Sequence, residues 1–401
     1  MKSAVCVTAE MDDMEKAAEE LASGALKEFP LLSRSVGVLF CDFEMDHGAL
    51  LAALGKKLPI DIVGCTTVAS LEGKNGFLEM SAMLMVMTAD DVQFVVALSD
   101  PFTPENVREE IEKTYRRGVE ALAQPVKLAL AFPAYNLDIT LDEYPETLGE
   151  IVEDVPLFGG LPASGSGSGV NGILAGGRVH TDRLVFVLMG GNVRPLFSVR
   201  NVLSDQTEQK RPVTRADRNT VYSVGDVSFV EYLRRFGLPV EKMAAEPGST
   251  SFVTNPLVVE MAESRQDDGI PYVRTLHKID LENGSGTAIG KIPEGAVISV
   301  AVMKRRDVEV STHEALLHLL GQIEAGGEDY EYSTILCVSC IGRYMVMGSE
   351  RDGEGRAISR AVPKGLNLSG FYGYGELCPT SVRNGRVLNR AHNESIVFCA
   401  L

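Results

Sequence analysis

The sequence has no apolar stretch long enough to cross a bilayer. Its longest apolar runs, at residues 82–87 and 184–189, have about six residues each, whereas a spanning helix needs about twenty. At the N-terminus, one lysine and a short apolar run precede acidic residues that begin at Glu10, so a signal-peptide core is lacking. We therefore expect a soluble, cytoplasmic protein.

Basic residues are in deficit. The chain has 38 lysines and arginines against 55 acidic residues, which gives a formal net charge of −17. A surface of this sign repels phosphate backbones and anionic lipid headgroups. We therefore expect neither nucleic acid nor a membrane as a partner.

Several sequence signatures of nucleotide, metal and hydrolytic sites are also missing. There is no Walker A, H-E-x-x-H or G-x-S-x-G sequence. Residues 167–172 match G-x-G-x-x-G, but a short glycine-rich segment follows instead of a helix, which predicts a surface loop. Cys337 and Cys340 form C-x-x-C without a second pair of zinc ligands. We therefore expect no metal and no cofactor.

The cysteines are odd in number and scattered. Seven are present, most of them inside apolar runs. This usage is typical of free, buried thiols in a reducing compartment.

Length and patterning predict more than one domain. A chain of 401 residues corresponds to two or three domains. Apolar strands alternate with amphipathic helices, such as the one that begins after Asp12 or Asp13. The pattern predicts an α/β to α+β fold, with mixed, largely antiparallel sheets covered by helices. The polar segment 204–219 is the linker candidate, and it divides the chain into domains 1–210 and 211–401.

Two local patterns extend this prediction. Residues 81–88 and 92–98 flank Ala89-Asp90-Asp91, which predicts a β-hairpin. A glycine-rich segment, a turn and an apolar strand recur in the chain, which indicates either related units or the ordinary pattern of hairpins. The two clearer copies begin at Phe158 and Gly370, and a fainter one begins at Gly64.

Residues 340–393 are the richest in chemistry. Arg343 follows an apolar strand, Tyr372 and Tyr374 alternate with glycines before Glu376, and Asn393 precedes the last strand. An arginine can clamp a carboxylate and a glutamate can hold an ammonium group, so these side chains predict a small pocket with tyrosine walls. The alternative is an Arg343–Glu376 ion pair that braces a bend in the sheet.

Three spaced motifs of this half resemble the FIST family, the F-box and intracellular signal transduction domain. They are residues 339–343, residues 370–376 and the pair His392-Asn393, in the family's order. The N-terminal half is similar to the FIST N domain at residues 62–67 and 156–160.

The resemblance implies a sensory protein that binds small ligands, amino acids among them. It carries five family-pattern positions over to this chain: Arg343, Tyr372, Tyr374, Glu376 and Asn393. Because no kinase, cyclase or F-box segment is recognised in the sequence, we expect the signal to pass to a separate protein.

Three functional hypotheses follow. The leading one is a cytoplasmic sensor of amino acids or related small carboxylates, without enzymatic activity. The second is a hydrolase or transferase in which Cys340 is the nucleophile and His392 the base. The third is an interaction scaffold with an exposed apolar patch.

Overall fold

The computed structural model describes residues 1–165, 170–201, 205–206, 208–246, 250–261, 270–326, 329–383 and 386–401. The predicted fold class is confirmed, because helices cover mixed sheets in which most strand pairs are antiparallel. In the described residues, the helices are α1 (Met14–Glu28), α2 (His47–Lys57), α3 (Val107–Glu120), α4 (Glu143–Ile151), α5 (Phe229–Arg235), α6 (Val240–Ala245), α7 (Thr250–Thr254), α8 (Arg305–Ala325), α9 (Ile341–Met347) and α10 (Gly353–Ala361).

The strands of the first half of the chain are β1 (Lys2–Thr8), β2 (Arg34–Asp42), β3 (Asp61–Thr67), β4 (Ser70–Glu72), β5 (Gly76–Leu78), β6 (Ala82–Ala89), β7 (Val92–Leu98), β8 (Val126–Pro133), β9 (Leu157–Gly160), β10 (Ile173–Ala175), β11 (Arg178–His180), β12 (Leu184–Gly191) and β13 (Leu196–Asn201). Those that follow are β14 (Asp205–Gln206), β15 (Arg211–Asp217), β16 (Thr220–Val224), β17 (Val227–Ser228), β18 (Leu257–Glu260), β19 (Tyr272–Arg274), β20 (Leu276–Asp280), β21 (Ser285–Ala288), β22 (Val297–Val302), β23 (Thr334–Cys340), β24 (Asn367–Gly373), β25 (Glu376–Arg383), β26 (Arg386–His392) and β27 (Ser395–Ala400).

Three six-stranded sheets share one arrangement. Their strand orders are β1-β6-β2-β3-β10-β11, β7-β12-β8-β9-β25-β26 and β13-β27-β23-β24-β4-β5. Each contains one parallel pair, β2–β3, β8–β9 or β23–β24, whose strands are joined through helices. The chain therefore builds three equivalent modules: the first at residues 2–89, the second at 92–191, and the third at 196–201 and 305–401.

The modules exchange hairpins in a ring. The first module's hairpin β4–β5 pairs with β24 of the third, β25–β26 of the third pairs with β9 of the second, and β10–β11 of the second pairs with β3 of the first. These hairpins belong to the recurrent glycine-turn-strand segments, so the internal repeat reflects related units. Gly385, in the turn of one copy, lies outside the described residues.

A glycine stands at the same point of each parallel pair. Gly64 (φ 148°) and Gly159 (φ 147°) lie opposite Leu39 and Ala131. A Cβ atom would lie 1.9 Å from the Leu39 carbonyl oxygen in the first pair and 2.0 Å from that of Ala131 in the second. Gly370 occupies the corresponding position in β24. At Gly64 and Gly159, only glycine allows this close approach of two backbones at positive φ.

The three sheets share one core, and helices cover their outer faces. The aromatic rings of Phe40, Phe132 and Phe371, one from each sheet, form a triangle with centroid separations of 6.0, 4.6 and 6.2 Å. Outside the first sheet, α1 begins after Asp13, whose carboxylate accepts a hydrogen bond from the Lys16 amide. Its buried face, which includes Leu21, packs against the sheet as the sequence predicts. The middle of the ring is therefore filled with apolar side chains.

A fourth, nine-stranded sheet interrupts the third module between β13 and α8. It comprises β14 to β22 and, with α5 to α7, has its own apolar core around Phe229 and Phe252. We call residues 205–302 the inserted unit.

Two sequence predictions are wrong. The hairpin at residues 81–98 does not form, because β6 lies between β1 and β2 while β7 pairs with β12 in another sheet. The linker candidate 204–219 contains the strand β15, whose Arg211 and Pro212 pair with β22. Residues 204 and 207 lie outside the described residues. The domain boundary at 210/211 stays a prediction.

Other predictions concern cysteines, the glycine-rich segment and membrane spans. All seven cysteines are free and buried, as predicted. Residues 167–169 of the loop expected at residues 167–172 lie outside the described residues. Of the helices described, none is both long and apolar enough to cross a membrane.

Candidate functional site

Arg343 lies in α9 with no exposed surface and binds Glu354 of α10. Its Nη2 and Nε atoms donate to Glu354 Oε1 at 2.6 and 3.0 Å. The guanidinium also donates to the hydroxyls of Ser311 and Thr312 and to the Val308 carbonyl. A ligand carboxylate at Arg343 would therefore have to displace a fully buried carboxylate that is already bound.

The partner of Arg343 is not the one that the sequence suggests. The expected alternative, an ion pair with Glu376, is replaced by the pair with Glu354, whose Oε2 also accepts a hydrogen bond from Ser339. Glu354 lies in α10, for which the sequence pattern predicts no helix.

Glu376 begins β25 and is fully buried. Its Oε2 accepts hydrogen bonds from the Ser395 hydroxyl at 2.6 Å and from the Ser395 amide at 3.3 Å. Its Oε1 has no partner of hydrogen-bond geometry among the described residues, although the Cys340 thiol is close enough to lower the pKa of the carboxyl.

Glu394 is a second fully buried carboxyl at the same place. It lies where the chain crosses from β26 to β27, and its φ of 55° is rare for a residue with a side chain. Its Oε1 accepts a 2.6 Å hydrogen bond from Thr275 of the inserted unit, and its Oε2 has no partner in the described part of the chain. A Cβ atom on Gly342 would lie 2.2 Å from that Oε2, so glycine makes room for the carboxyl.

Asn393 adds a third acceptor without a partner. The side chain is buried, and its Nδ2 donates to the His392 carbonyl at 3.0 Å. Its Oδ1 has no hydrogen-bond partner among the described residues. The amide lies beside Gly375, where an added Cβ atom would be 3.5 Å from Nδ2. We call Glu376, Asn393 and Glu394 the acceptor cluster.

Burial makes both carboxyls of this cluster weak acids. Loss of water, and then the neighbouring Glu394, raise the pKa of Glu376 well above its usual range against the effect of the Ser395 hydrogen bonds. Desolvation raises the pKa of Glu394 to about 7, while Thr275 and Arg343 act in the opposite direction. The two groups lie close enough to interact, and neither has an arginine or lysine salt bridge in the part of the chain described.

The two predicted wall tyrosines lie in different surroundings. Tyr372 is fully buried in the core beside Tyr344 and Phe77, with ring separations of 5.4 and 6.2 Å. Tyr374 is half-buried, stacks on Tyr135 at 4.6 Å and donates to the Ser164 carbonyl. Of the two, Tyr374 is the nearer to the acceptor cluster along the chain, because only Gly375 separates it from Glu376.

Cys340 and His392 have environments that oppose nucleophilic catalysis. Desolvation, together with the charges of Glu376 and Glu394, raises the pKa of the Cys340 thiol well above its usual value. The Nε2 atom of His392 is 3.0 Å from the Cys378 carbonyl oxygen. A thiolate is the reactive form of cysteine, so this setting disfavours it.

The inserted unit contacts the acceptor cluster through Thr275. Next to Thr275, Arg274 is buried and forms an ion pair of 2.7 Å with Asp142, just before α4 of the second module. Arg274 also donates to the Ala391 carbonyl at the end of β26. The cluster therefore lies where the inserted unit meets two modules.

This arrangement offers acceptors rather than a metal-ligand set. Among the described residues, no group of three histidine, cysteine or acidic side chains is placed to hold a metal ion. The structure brings Glu376 and Asn393 together and holds Arg343 with Glu354. Sequence reasoning missed Glu354, Thr275 and Glu394, although Glu394 follows the predicted Asn393 directly.

Two domains of one known protein family match most of the chain. The FIST N domain matches residues 35–226, and the FIST C domain matches residues 229–379.

The chain belongs to the FIST family. The predicted family is therefore confirmed. FIST domains are sensory domains of signal transduction. The matched FIST C region includes Arg343 and Glu376 and ends before Asn393.

Other comparisons are weaker. No curated protein matches the chain. Among solved structures, cyanuric acid hydrolase from A. caulinodans aligns over 99% of this chain and 98% of its own, with 8% identity and a TM-score of 0.29. A score this low supports no conclusion about this protein.

Proposed function

We propose that this FIST protein is a cytoplasmic sensor that binds a small molecule at the acceptor cluster and signals to a separate protein. The observation that supports the proposal is a set of three buried oxygen atoms that have no partner of hydrogen-bond geometry among the described residues: Glu376 Oε1, Glu394 Oε2 and Asn393 Oδ1. Buried polar atoms are almost always hydrogen-bonded, so three unpartnered atoms on neighbouring residues indicate a missing partner.

The position of the cluster supports a sensory role. A ligand that contacts Glu394 also changes the environment of Thr275, because their side chains share a hydrogen bond. Thr275 belongs to the inserted unit, which is tied to the second module through Arg274 and Asp142. Binding would therefore alter the contacts between the inserted unit and the modules, which is the differential contact that a signal requires.

The ligand class in this proposal is an amino acid or a related small carboxylate, as the family resemblance implies. The cytoplasmic location in the proposal is supported by the seven free cysteines, which are typical of a reducing compartment. Burial and the raised pKa of Cys340 count against the alternative in which this residue is a nucleophile.

A thermal-shift screen of amino acids and small carboxylates tests the proposal. A compound at 100 times its Kd should stabilise the folded protein by about 2.7 kcal/mol. The shift should disappear in Glu376→Gln and persist in the control Glu110→Gln, a buried glutamate of α3 that is bound by Lys113. A screen without any shift, or a shift that Glu376→Gln leaves intact, would refute the proposed site.

A further inference from the structure

We infer that the acceptor cluster binds the ammonium end of its ligand, and that Arg343 does not bind the ligand's carboxylate. This inference rests on the proposed function and specifies which chemical group the site recognises. The cluster presents two carboxyls and one amide oxygen, and with both carboxyls ionised the available oxygens of all three accept hydrogen bonds.

The number and kind of free atoms match a primary ammonium group. Such a group has three N–H donors and no acceptor, and the cluster has three oxygen atoms without partners in the described residues: Glu376 Oε1, Asn393 Oδ1 and Glu394 Oε2. Asn393 is an independent indication, because its amide oxygen is buried and unpartnered although the residue is uncharged. A carboxylate ligand would meet only oxygen atoms at this position.

Charge favours the same ligand end. Two carboxyls that are fully buried and close to each other are unfavourable as anions. A cation bound between the two carboxyls would stabilise their ionised forms. The overall charge of −17 also attracts cations to the protein.

Arg343 is excluded by its own contacts. Its guanidinium donates to Glu354, Ser339, Ser311, Thr312 and the Val308 carbonyl. A ligand carboxylate would replace an existing buried carboxylate without a gain in hydrogen bonds.

A small ammonium is also a better match than a divalent metal ion. Calcium takes six to eight oxygen ligands and magnesium demands an octahedral set. The cluster offers three unpartnered oxygens among the described residues, which is too few for either ion without several waters.

The test compares three compounds that share one skeleton: alanine, ethylamine and propionate. Ethylamine lacks the carboxylate of alanine, and propionate lacks its ammonium group. Melting temperature is measured at equal ionic strength with each compound, and with calcium chloride as the metal control. We expect alanine and ethylamine to raise the melting temperature, and propionate and calcium to leave it unchanged.

Variants assign the effect to the cluster. In Glu376→Gln/Glu394→Gln, each new amide can donate to the other side chain, so the fold should be at least as stable as that of the wild type. Loss of charged hydrogen bonds should weaken ethylamine binding about tenfold or more. The control Glu110→Gln should bind ethylamine like the wild type.

The outcomes separate the inference from the proposed function. If propionate stabilises the protein while ethylamine does not, or if the double glutamine variant still responds to ethylamine, the inference is wrong and the sensor proposal stands. If calcium stabilises the wild type and ethylamine does not, the site is a metal site and the inference is also wrong. If neither these compounds nor the amino-acid screen shifts the melting temperature, both are wrong.

Discussion

The first and third modules share one backbone plan but differ in the chemistry at their strand ends. When the modules are aligned on Gly64 and Gly370, Cys340 corresponds to Asp42 and Glu376 to Ser70. When the modules are aligned through β6 and β27, Glu394 is at the position equivalent to Met80, and both residues have positive φ.

The side chains at these equivalent positions have opposite exposure. Met80 is 59% exposed, whereas Glu394 has no exposed surface and is bound by Thr275 of the inserted unit. The second module has Ile173 and Asp182 at the positions of Glu376 and Glu394. The paired buried carboxyls are thus specific to the module that carries the inserted unit.

In the third module, the largest expected effect is that of removing Arg343, the partner of the buried Glu354. Arg343→Ala leaves Glu354 buried without its cation, and we expect a loss of roughly 3–5 kcal/mol of unfolding free energy. The measurement is urea denaturation followed by circular dichroism.

Two further variants sharpen that result. Arg343→Met/Glu354→Gln should be less destabilised than Arg343→Ala, since no uncompensated charge remains. Arg108→Ala, which removes an arginine with exposed ion pairs, should lose about 1 kcal/mol at most. An Arg343→Ala variant as stable as Arg108→Ala would show that the buried pair contributes little.

The next prediction tests whether the three modules are equivalent in their backbones. Gly64→Ala and Gly159→Ala place a Cβ atom against a carbonyl oxygen at positive φ. In each variant, backbone strain costs roughly 1–3 kcal/mol and overpacking a similar amount. We therefore expect each variant to lose about 4 kcal/mol of unfolding free energy.

The third module should respond less to the same change. At Gly370 an added Cβ atom would lie 2.6 Å from the Cys337 Cβ atom and 2.7 Å from its carbonyl oxygen, farther than in the other two pairs, and φ is not in the left-handed region. Gly370→Ala should therefore be the mildest of the three variants in urea denaturation. Equal losses in all three would contradict the distinction that we draw between the modules.

The smallest expected effect is a pH dependence that Met80 cannot produce at the equivalent position. The pKa of Glu394 rises from 4.5 to about 7 on folding, so the folded chain holds this proton more tightly than the unfolded chain. Stability from this group is complete below pH 4.5 and is lost as the pH rises toward 7. The loss amounts to about 3 kcal/mol.

Glu394→Gln removes this titration. The variant should gain stability relative to the wild type as the pH rises through that window, and the difference should level off above it. Urea denaturation at a series of pH values measures the change. A constant difference between variant and wild type at every pH would show that Glu394 titrates normally.

The elements that could be predicted from sequence are those set by local pattern. The strand β23 and the helix α1 follow from an apolar run and from a capped amphipathic repeat, respectively. The prediction of a hairpin at residues 81–98 was wrong because local turn signals do not show that β6 pairs with β1 on one side and with β2 on the other.

The candidate site was predictable only in part for a related reason. Glu376 and Asn393 stand in recognisable motifs, but the partner of Arg343 is set by how α9 packs against α10. The partner of Glu394 is Thr275 of the inserted unit, at a sequence separation of 119 residues. Such pairings are tertiary, and no window of sequence contains them.

The ring of exchanged hairpins has a consequence for synthesis of the chain. The hairpin β4–β5 is made early, but its partner β24 is made near the end, and the hydrogen bond between Thr67 and Tyr372 joins residues 305 positions apart. Contacts of such separation slow folding, and an unpaired strand edge is prone to aggregate while it waits. We therefore expect the ring to close in one late step after the third module leaves the ribosome, with the emerging chain depending on chaperones until then.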